Sequence, residues 1–340
     1  MKRLMKRGRR KRNCFMCFMW MSLLLLWGMA MMVPAGALAG EPVLHYYDKL
    51  LDVSLLESGQ IWVVGHAGKL IHSENFGKDW VSQDAGTLKG LFSVCFVTPE
   101  KGWISGELGQ ILHTEDGGKT WAVQGEGVTT LPLLMIRFLN ENVGWATGSV
   151  GTILKTHDGG KTWVKSGYSR DMAFNDLYIF NENKLYAACE FDNVMMTEDG
   201  GETWKALMEE GFGEPGNFFG IDFIDENRGF AVGTGGNIKY TMDAGATWQT
   251  AENNETKKTT LMKVKFFDDK TGVAIGLDGA MVFTKDGGLT WDPPSPITQF
   301  TWFSGLSILK DGRGVVVGVG NVILTSDFGK TWTNPIEDVR

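Results

Sequence analysis

Seven acidic or amide side chains recur at one place in a repeated pattern, and carboxylates so arranged could ligate calcium or catalyse hydrolysis. They are Asn75, Asp116, Asp158, Asp199, Asp243, Asp286 and Asp327. Each lies two residues after Ser or Thr, two before Gly and five before Trp. In this setting the side chain bonds the amides of its own turn, while Gly adopts a positive φ. A residue with this local role in every repeat indicates a structural turn.

Other patterns that carry chemistry are missing from the sequence. It contains no His-Glu-x-x-His, no Gly-x-Ser-x-Gly and no phosphate-binding glycine loop before a helix. His72 and His113 share one strand position in successive repeats, where Lys155, Met196 and Tyr240 stand elsewhere. We interpret this position as a tolerant surface slot rather than a metal site. We therefore expect no metal and no cofactor.

The elements that position these turns repeat along the chain. The final tryptophans of the pattern lie 41 to 44 residues apart, at Trp80, Trp121, Trp163, Trp204, Trp248, Trp291 and Trp332. In the second copy, alternating apolar residues predict strands at 93–97, 102–106 and 110–113 and from Trp121 onward. Four short strands at this period predict an all-β fold, a seven-bladed β-propeller. We expect four strands in every blade, no strand exchanged between the first and last blades, and each motif tryptophan buried between blades.

The first 39 residues differ from the repeats. Basic residues crowd positions 2–12, an apolar run covers 14–33, and Ala37-Leu38-Ala39 is a small-residue cleavage pattern. The sequence thus predicts a signal peptide over 1–39 and the propeller over 40–340. An uncleaved anchor is the alternative, because about 20 apolar residues can span a bilayer. Either interpretation places the repeats outside the cytoplasm, in a periplasm or lumen.

Charge and cysteine content exclude some classes of partner. The net charge is −7, and eight of the positive charges lie in the leader, so the remaining chain carries −15. Such a surface repels phosphates and anionic lipids, and we expect no nucleic-acid partner.

Cys95 and Cys189 fall on strand patterns two repeats apart, which predicts two buried, reduced thiols and no disulfide.

The repeat is the Asp-box, or BNR repeat, and its arrangement resembles the photosystem II assembly/stability factor family. The likeness rests on seven short blades, an export leader, and Gly-Trp-x-x-Gly followed by the Asp-box, as at 102–121 and 144–163, and it covers roughly residues 43–335. The resemblance implies a propeller without a catalytic site that holds newly made membrane-protein subunits during assembly. Photosynthetic members are similar to one another in an arginine-rich patch, which the five scattered arginines after the leader do not reproduce. We therefore expect a bacterial relative that serves a different membrane complex.

A carbohydrate-active or glycan-binding propeller is the alternative, because Asp-boxes also occur in sialidases and other glycosidases. A sialidase needs an arginine triad, and a glycosidase needs two facing carboxylates, but no such set is marked by its repeat position. Outside the motif and the leader only Trp62, Trp103, Trp145 and Trp302 remain, and the first three occupy second-strand core positions. Few rings are left to stack on a sugar. We expect no enzymatic activity and no small-molecule substrate.

Positions that vary between repeats are candidates for binding a protein. Seven such positions follow an apolar residue on the first strands and are expected to ring the central channel: Ser54, Cys95, Arg137, Tyr178, Asp222, Lys265 and Ser307. Among them Arg137, Tyr178, Asp222 and Lys265 are the partner-binding candidates, and Asp222 and Lys265 are placed to pair. A solvated channel without a ligand is the other interpretation.

A second group of candidates lies where the second strand turns into the third. Glu107 and Glu190 occupy these turns, and Met208 and Phe212 are exposed candidates in the long connection 206–217. The turn at 190–193 also departs from the other copies. These turns should share a face with the blade-to-blade connections, opposite the Asp-boxes. We expect a monomer that binds membrane-protein subunits through this face.

Overall fold

Each repeat folds into a sheet whose strands neighbour one another in chain order. The computed structural model describes residues 42–166, 168–208, 216–253, 259–292 and 301–336. Its sheets form an all-β seven-bladed β-propeller, the fold that the repeat period predicts. The strands are at most six residues long, because Gly, Pro, Asp and Asn end each apolar run.

The first five blades each contain four antiparallel strands, running from the inner first strand to the outer fourth. The first two blades comprise β1 (Leu50–Leu55), β2 (Ile61–Gly65), β3 (Leu70–Ser73), β4 (Val81–Ser82), β5 (Leu91–Phe96), β6 (Gly102–Gly106), β7 (Ile111–Thr114) and β8 (Ala122–Gln124). The third and fourth comprise β9 (Leu133–Phe138), β10 (Gly144–Gly148), β11 (Ile153–Thr156), β12 (Val164–Lys165), β13 (Phe174–Ile179), β14 (Leu185–Cys189), β15 (Asn193–Thr197) and β16 (Lys205–Ala206). The fifth comprises β17 (Phe218–Phe223), β18 (Gly229–Gly233), β19 (Ile238–Thr241) and β20 (Gln249–Thr250).

The last two blades depart from the four-strand plan. The remaining strands are β21 (Glu252–Asn253), β22 (Leu261–Phe266), β23 (Gly272–Gly276), β24 (Met281–Thr284), β25 (Thr290–Trp291), β26 (Phe303–Ile308), β27 (Gly314–Gly318) and β28 (Asn321–Thr325). Strand β25 pairs in parallel with β21, and single bridges Phe283–Asp292 and Leu324–Thr333 stand where the fourth strands of the sixth and seventh blades were expected. Within the described residues the prediction of four strands is therefore wrong for these two blades, whose sheets each contain three strands. Prolines follow both bridges in the sequence, and a proline has no N–H to extend a ladder.

The two ends of the propeller are built from different turns. The second-to-third-strand turns bond to the connections between blades, as His66 N does to Lys49 O at 2.9 Å and Glu107 N to Gly90 O at 3.0 Å. These turns and connections define the connection face, and the Asp-boxes lie at the other strand ends, on the Asp-box face. Four of the turns on the connection face are 3₁₀ turns: His66–Gly68, Glu107–Gly109, Thr234–Gly236 and Leu277–Gly279.

The fourth blade has the different loop that its sequence indicates. Strand β14 passes into β15 through a tight turn in which both Phe191 and Asp192 have positive φ, at 62° and 50°. Two consecutive residues with positive φ define the compact hairpin turn that suits twisted strands.

The Asp-box side chains are fully engaged in their own turns. In the second blade the Thr120 hydroxyl donates to Asp116 Oδ2 at 2.7 Å, and Thr120 N and Thr114 Oγ1 both donate to Asp116 Oδ1, at 2.9 and 2.8 Å. Gly118 N closes the turn on Thr114 Oγ1 at 2.8 Å, with φ at 75°. The bonds that Thr120 donates lower the pKa of Asp116 to about 2, and the bond from the hydroxyl has a larger effect than the bond from the amide.

Removing one donor is expected to raise this pKa. In Thr120→Val the carboxylate of Asp116 loses its hydroxyl donor, so its pKa should rise from about 2 towards the ordinary aspartate value of 3.8. Because the folded pKa lies below the unfolded one, the stabilising effect is complete above about pH 5 and is lost as the pH falls towards 2. Carboxyl ¹³C NMR titration measures the shift, with Asp158 in the same spectrum as the unchanged control. An unshifted Asp116 pKa would contradict the assignment of the donor.

The second-strand tryptophans are more deeply buried than the tryptophans of the Asp-box motif. Trp62, Trp103 and Trp145 are fully buried, whereas only Trp163 and Trp291 of the motif tryptophans are buried and the other five are half-buried. The expectation that every motif tryptophan is buried is therefore wrong for five of them. The cause is their place at the edge of the outer strand, where one side of the ring meets solvent.

The histidine slot is a packing position rather than a surface position. His72 and His113 are 7% and 9% exposed and stack on Trp62 and Trp103, with ring centroids 4.4 and 4.6 Å apart. Cross-strand register places each histidine directly opposite its tryptophan. In the third blade Lys155 holds the same place, with Nζ 5.4 Å from the ring centre of Trp145. The surface interpretation is therefore wrong for the two histidines.

The ring closes by packing β1 of the first blade against β26 of the seventh. Ser304 Oγ donates to Leu50 O at 2.6 Å, and Leu55 N donates to Ser307 Oγ at 3.2 Å. Gly320 N also donates to Asp48 O at 2.8 Å. Among the described residues no strand is exchanged between these blades, so closure uses the same side-by-side packing as the other blade interfaces.

Cys95 and Cys189 are both free thiols. Cys189 is fully buried between blades, but Cys95 is half-buried because its strand position faces the channel. The expectation of a buried thiol therefore fits Cys189 alone. Burial raises the pKa of both thiols.

In the part of the chain that is described, no helix has the length and hydropathy needed to cross a bilayer.

Candidate functional site

The predicted channel residues are engaged with neighbouring blades. Lys265 Nζ lies 2.8 Å from Asp222 Oδ1, the pairing that the sequence predicts, and Phe266 N donates to Asp222 Oδ2 at 3.0 Å. Tyr178 lies beside them, 5.9 Å from Lys265 Nζ to its ring centre, and burial raises its pKa to about 12. The side chains on this half of the channel wall are therefore already engaged in contacts with one another.

Short polar side chains of this ring join neighbouring inner strands. Phe96 N of the second blade donates to Ser54 Oγ of the first at 3.2 Å, and Leu55 N of the first donates to Ser307 Oγ of the seventh. These backbone N–H groups have no strand partner across the blade boundary, so a side-chain oxygen satisfies them. The ring therefore stabilises the arrangement of the blades.

A second ring of channel residues was missed from the sequence. It lies two positions earlier on each inner strand and consists of Asp52, Ser93, Met135, Asp176, Gly220, Lys263 and Gly305. Lys263 Nζ lies 3.0 Å from Asp176 Oδ2, and Arg137 Nη1 lies 3.3 Å from Asp52 Oδ2. Strand alternation places both rings on one side of the strand, so the charged residues at these positions were the available signal.

Both of these ion pairs reach across an intervening blade. Lys263 of the sixth blade reaches Asp176 of the fourth past Gly220, whose added Cβ would lie 2.8 Å from Lys263 Cα. Arg137 of the third blade reaches Asp52 of the first past Ser93, whose hydroxyl donates to Asp52 Oδ2 at 2.7 Å. A larger side chain in either intervening blade would occupy the space that the pair uses.

Because these ion pairs are buried, the charge state of one pair depends on the charges of the other. Asp176 and Lys263 have side chains 3% and 9% exposed. Burial alone would raise the pKa of Asp176, but the charges of Lys263 and Arg137 outweigh it and lower that pKa. The carboxylate therefore stays ionised inside the channel, and its charge is used by its partners rather than offered to a ligand.

The two turn carboxylates have internal partners. Glu107 Oε2 accepts from Gly90 N, and Glu190 Oε2 accepts from Ala173 N, both at 2.9 Å. Each bond fixes the backbone that leads into the first strand of the same blade. Their proposed contact with a partner stays a prediction, and their side chains are already engaged.

The long connection before the fifth blade is described only in part. Met208 is half-buried against the core between the fourth and fifth blades, and its carbonyl accepts from Asn193 Nδ2 at 3.3 Å. The expectation of an exposed Met208 is therefore wrong, because its side chain packs on the blades. Phe212 lies outside the described residues.

An outer groove lies between the sixth and seventh blades, where the fourth strands are reduced to bridges. It measures about 770 Å³ and includes the aromatic side chains of Phe283, Phe328 and Trp332 with the carboxylates of Asp268 and Asp292. Among the residues that the structure describes, no three His, Cys, Asp or Glu side chains converge to hold a metal.

Fold and site together define a seven-bladed propeller whose channel charges pair with one another. The chain belongs to the family described as photosynthesis system II assembly factor YCF48, whose family model matches residues 42–113, 80–214, 164–241 and 216–282. A comparison with curated protein sequences gives no match.

Solved structures agree with this assignment at the level of the fold. YCF48 bound to a D1 peptide is 20% identical, with a TM-score of 0.70 over 87% of this chain and 99% of that one. YCF48 from Cyanidioschyzon merolae is 18% identical, with a TM-score of 0.70 over 83% and 96% of the two chains. An ancestral GH74 enzyme is 14% identical, with a TM-score of 0.68, but only 47% of its chain is covered, against 87% of this one.

Proposed function

We propose that this protein is an exported, non-catalytic scaffold that binds subunits of a membrane-protein complex during assembly. The observation that carries the proposal is the family match, which extends over residues 42–282 and agrees with the seven-bladed fold. A relative of the same fold is known with a bound peptide, which supports a polypeptide ligand for this chain too.

The charge arrangement in the channel supports a role without catalysis. Hydrolysis of a glycoside needs one carboxylate as acid and another as base or nucleophile, both facing the substrate. Asp52, Asp176 and Asp222 are instead held by Arg137, Lys263 and Lys265. Their lone pairs and charges serve the contacts between blades.

The arginines support a partner different from that of the photosynthetic relatives. Arg137 lies in the channel, whereas Arg228 and Arg313 pair with Asp225 and Asp311 in turns of the fifth and seventh blades. These arginines come from three different blades and each has a carboxylate partner. Recognition through an arginine cluster is thus not a property we assign to this chain.

The proposal is tested by recovering the complex from its own cells. A C-terminally tagged chain, crosslinked in intact cells and purified from solubilised membranes, should bring down the subunits of one membrane complex at least tenfold above an untagged strain. Phe212→Ser tests the long connection, and Val164→Ser on the outer strand β12 is the matched control. Recovery of the propeller alone from crosslinked membranes would refute the scaffold role.

Export has its own measurement. Mass spectrometry of the purified protein should find a mature chain that begins at Gly40, and fractionation should place it outside the cytoplasm. A chain that retains residues 14–33 in the membrane would support the anchor instead. A cytoplasmic chain would contradict both.

The carbohydrate alternative has one observation in its favour. The outer groove combines aromatic rings with Asp268 and Asp292, and GH74 enzymes share the propeller fold. If the groove hydrolyses polysaccharides, Asp268→Asn or Asp292→Asn should abolish release of reducing ends from a panel of soluble polysaccharides. Activity that is absent from the wild-type chain, or unchanged in both variants, would exclude this groove as a glycosidase site.

A further inference from the structure

Exposed apolar side chains are concentrated on the connection face. Of the 13 large hydrophobic side chains that are exposed among the described residues, seven lie in its turns and connections: Tyr46, Tyr47, Leu88, Leu108, Val150, Phe191 and Trp302. Three lie on the Asp-box face, Leu139, Met242 and Leu289. Exposed apolar side chains that lie close together on one face of a folded protein are a candidate interaction site.

Three of these residues form an arc across adjacent blades. Leu108, Val150 and Phe191 occupy the tips of the second-to-third-strand turns in the second, third and fourth blades, where they are 62%, 51% and 41% exposed. The equivalent tips of the remaining four blades carry small or charged residues, namely Ala67, Gly235, Asp278 and Gly320. The apolar tips are thus confined to one side of the ring.

The backbone at these tips does not favour the side chains it carries. Leu108, Val150 and Phe191 have φ of 57°, 55° and 62°, a region that suits glycine and is unfavourable for bulky and β-branched residues. Gly235, with φ of 66°, shows that the same turn forms without a side chain. Strained residues whose side chains project into solvent point to a contact outside the chain.

The arc fits a polypeptide better than a lipid bilayer. A flat bilayer that covered Leu108 and Val150 would also meet the tip of the sixth blade, where Asp278 is exposed at the equivalent position. Burying that carboxylate in lipid is unfavourable, and the acidic chain repels anionic lipids. An extended segment or a helix can follow three adjacent tips and leave the opposite side of the ring uncovered.

We propose that Leu108, Val150 and Phe191 form the docking surface for an apolar segment of the membrane-protein subunit that this scaffold binds. The inference rests on the proposed function and names the face and the chemistry of recognition. Each of the three apolar side chains stands on its own turn and supplies one contact to the segment. Glu107 and Glu190 hold the turns in place beside two of the tips.

Site-specific photocrosslinking in intact cells tests the surface. A benzophenone amino acid replacing Leu108 or Val150 should crosslink to a membrane-protein subunit, and mass spectrometry should map the adduct to an apolar segment of that subunit. The same probe replacing Met242 or Leu289 on the Asp-box face is the control. Adducts with lipid, or equal crosslinking from both faces, would overturn the proposal.

Substitution by glycine separates binding from folding. In L108G/V150G/F191G the tips lose their side chains while the turns keep a favoured backbone, so the thermal midpoint should fall by no more than about 2 °C or should rise. Recovery of the complex should fall at least tenfold, whereas M242S/L289S should leave it unchanged. A large fall in midpoint, or full recovery of the complex by the triple variant, would refute the docking role.

The outcomes distinguish this inference from the proposed function. If the wild-type chain recovers a membrane complex and the triple variant recovers it equally, the scaffold role stands and the docking surface is wrong. If the wild-type chain recovers none, both proposals fail.

Discussion

Replacement of Lys263 by methionine is expected to destabilise the propeller by about 3–5 kcal/mol, because it leaves Asp176 as a buried charge without its partner. The two side chains are 9% and 3% exposed and lie 3.0 Å apart. Methionine keeps most of the side-chain volume, so the effect reports the lost charge rather than a cavity. Urea unfolding, followed by tryptophan fluorescence, measures the change in the free energy of unfolding.

Two further variants assign the cause of that change. Removal of both charges in K263M/D176L should restore most of the stability, because a well-packed apolar pair can replace a buried ion pair. Lys265→Met should have a smaller effect, since Lys265 is 27% exposed and solvent screens its charge. Equal losses in the single and double variants would show that packing, not charge, determines stability here.

The sequence predicts the architecture because a period of 41 to 44 residues and strand alternation are local signals. Alternation also explains the ring that contains Asp222 and Lys265. To predict the second ring, one must also know where the alternation stops, because alternation alone would continue the channel side to Leu50. In all seven inner strands the pairing register shifts near the first residue, as between Leu50 and Asp52, and this bulge turns Leu50 into the core between blades.

The incorrect expectations have two causes: contacts between neighbouring strands, and a local signal that was overlooked. His72 looks like a surface residue when its own strand is considered alone, but Trp62 covers it from one side through cross-strand register. Among the described residues of the last two blades, single bridges replace the fourth strands, and prolines follow both bridges in the sequence, a local signal that the repeat alignment obscured.

The candidate surface shows the same division between local and tertiary information. Repeat alignment selects Glu107 and Glu190 as variable polar residues of the connection face, and the structure places both in turns of that face. Their carboxylates bond to backbone amides, so the accessible residues are their neighbours Leu108 and Phe191. Exposure and positive φ cannot be derived from variability alone, because they depend on the geometry of the turn.

Trp103→Ala is expected to destabilise the protein by about 3–5 kcal/mol, the effect of removing a large buried ring. Its ring is fully buried, lies 3.6 Å from that of Phe138 between ring centroids, and donates from Nε1 to Gly159 O at 3.1 Å. These contacts belong to the next blade, so the substitution opens the interface between blades. Trp302→Ala is the matched control: this ring is 44% exposed, and its loss should change stability by no more than about 0.5 kcal/mol. Urea unfolding measures the loss of stability in both variants. Comparable losses would mean that the second-strand rings are not the main packing between blades.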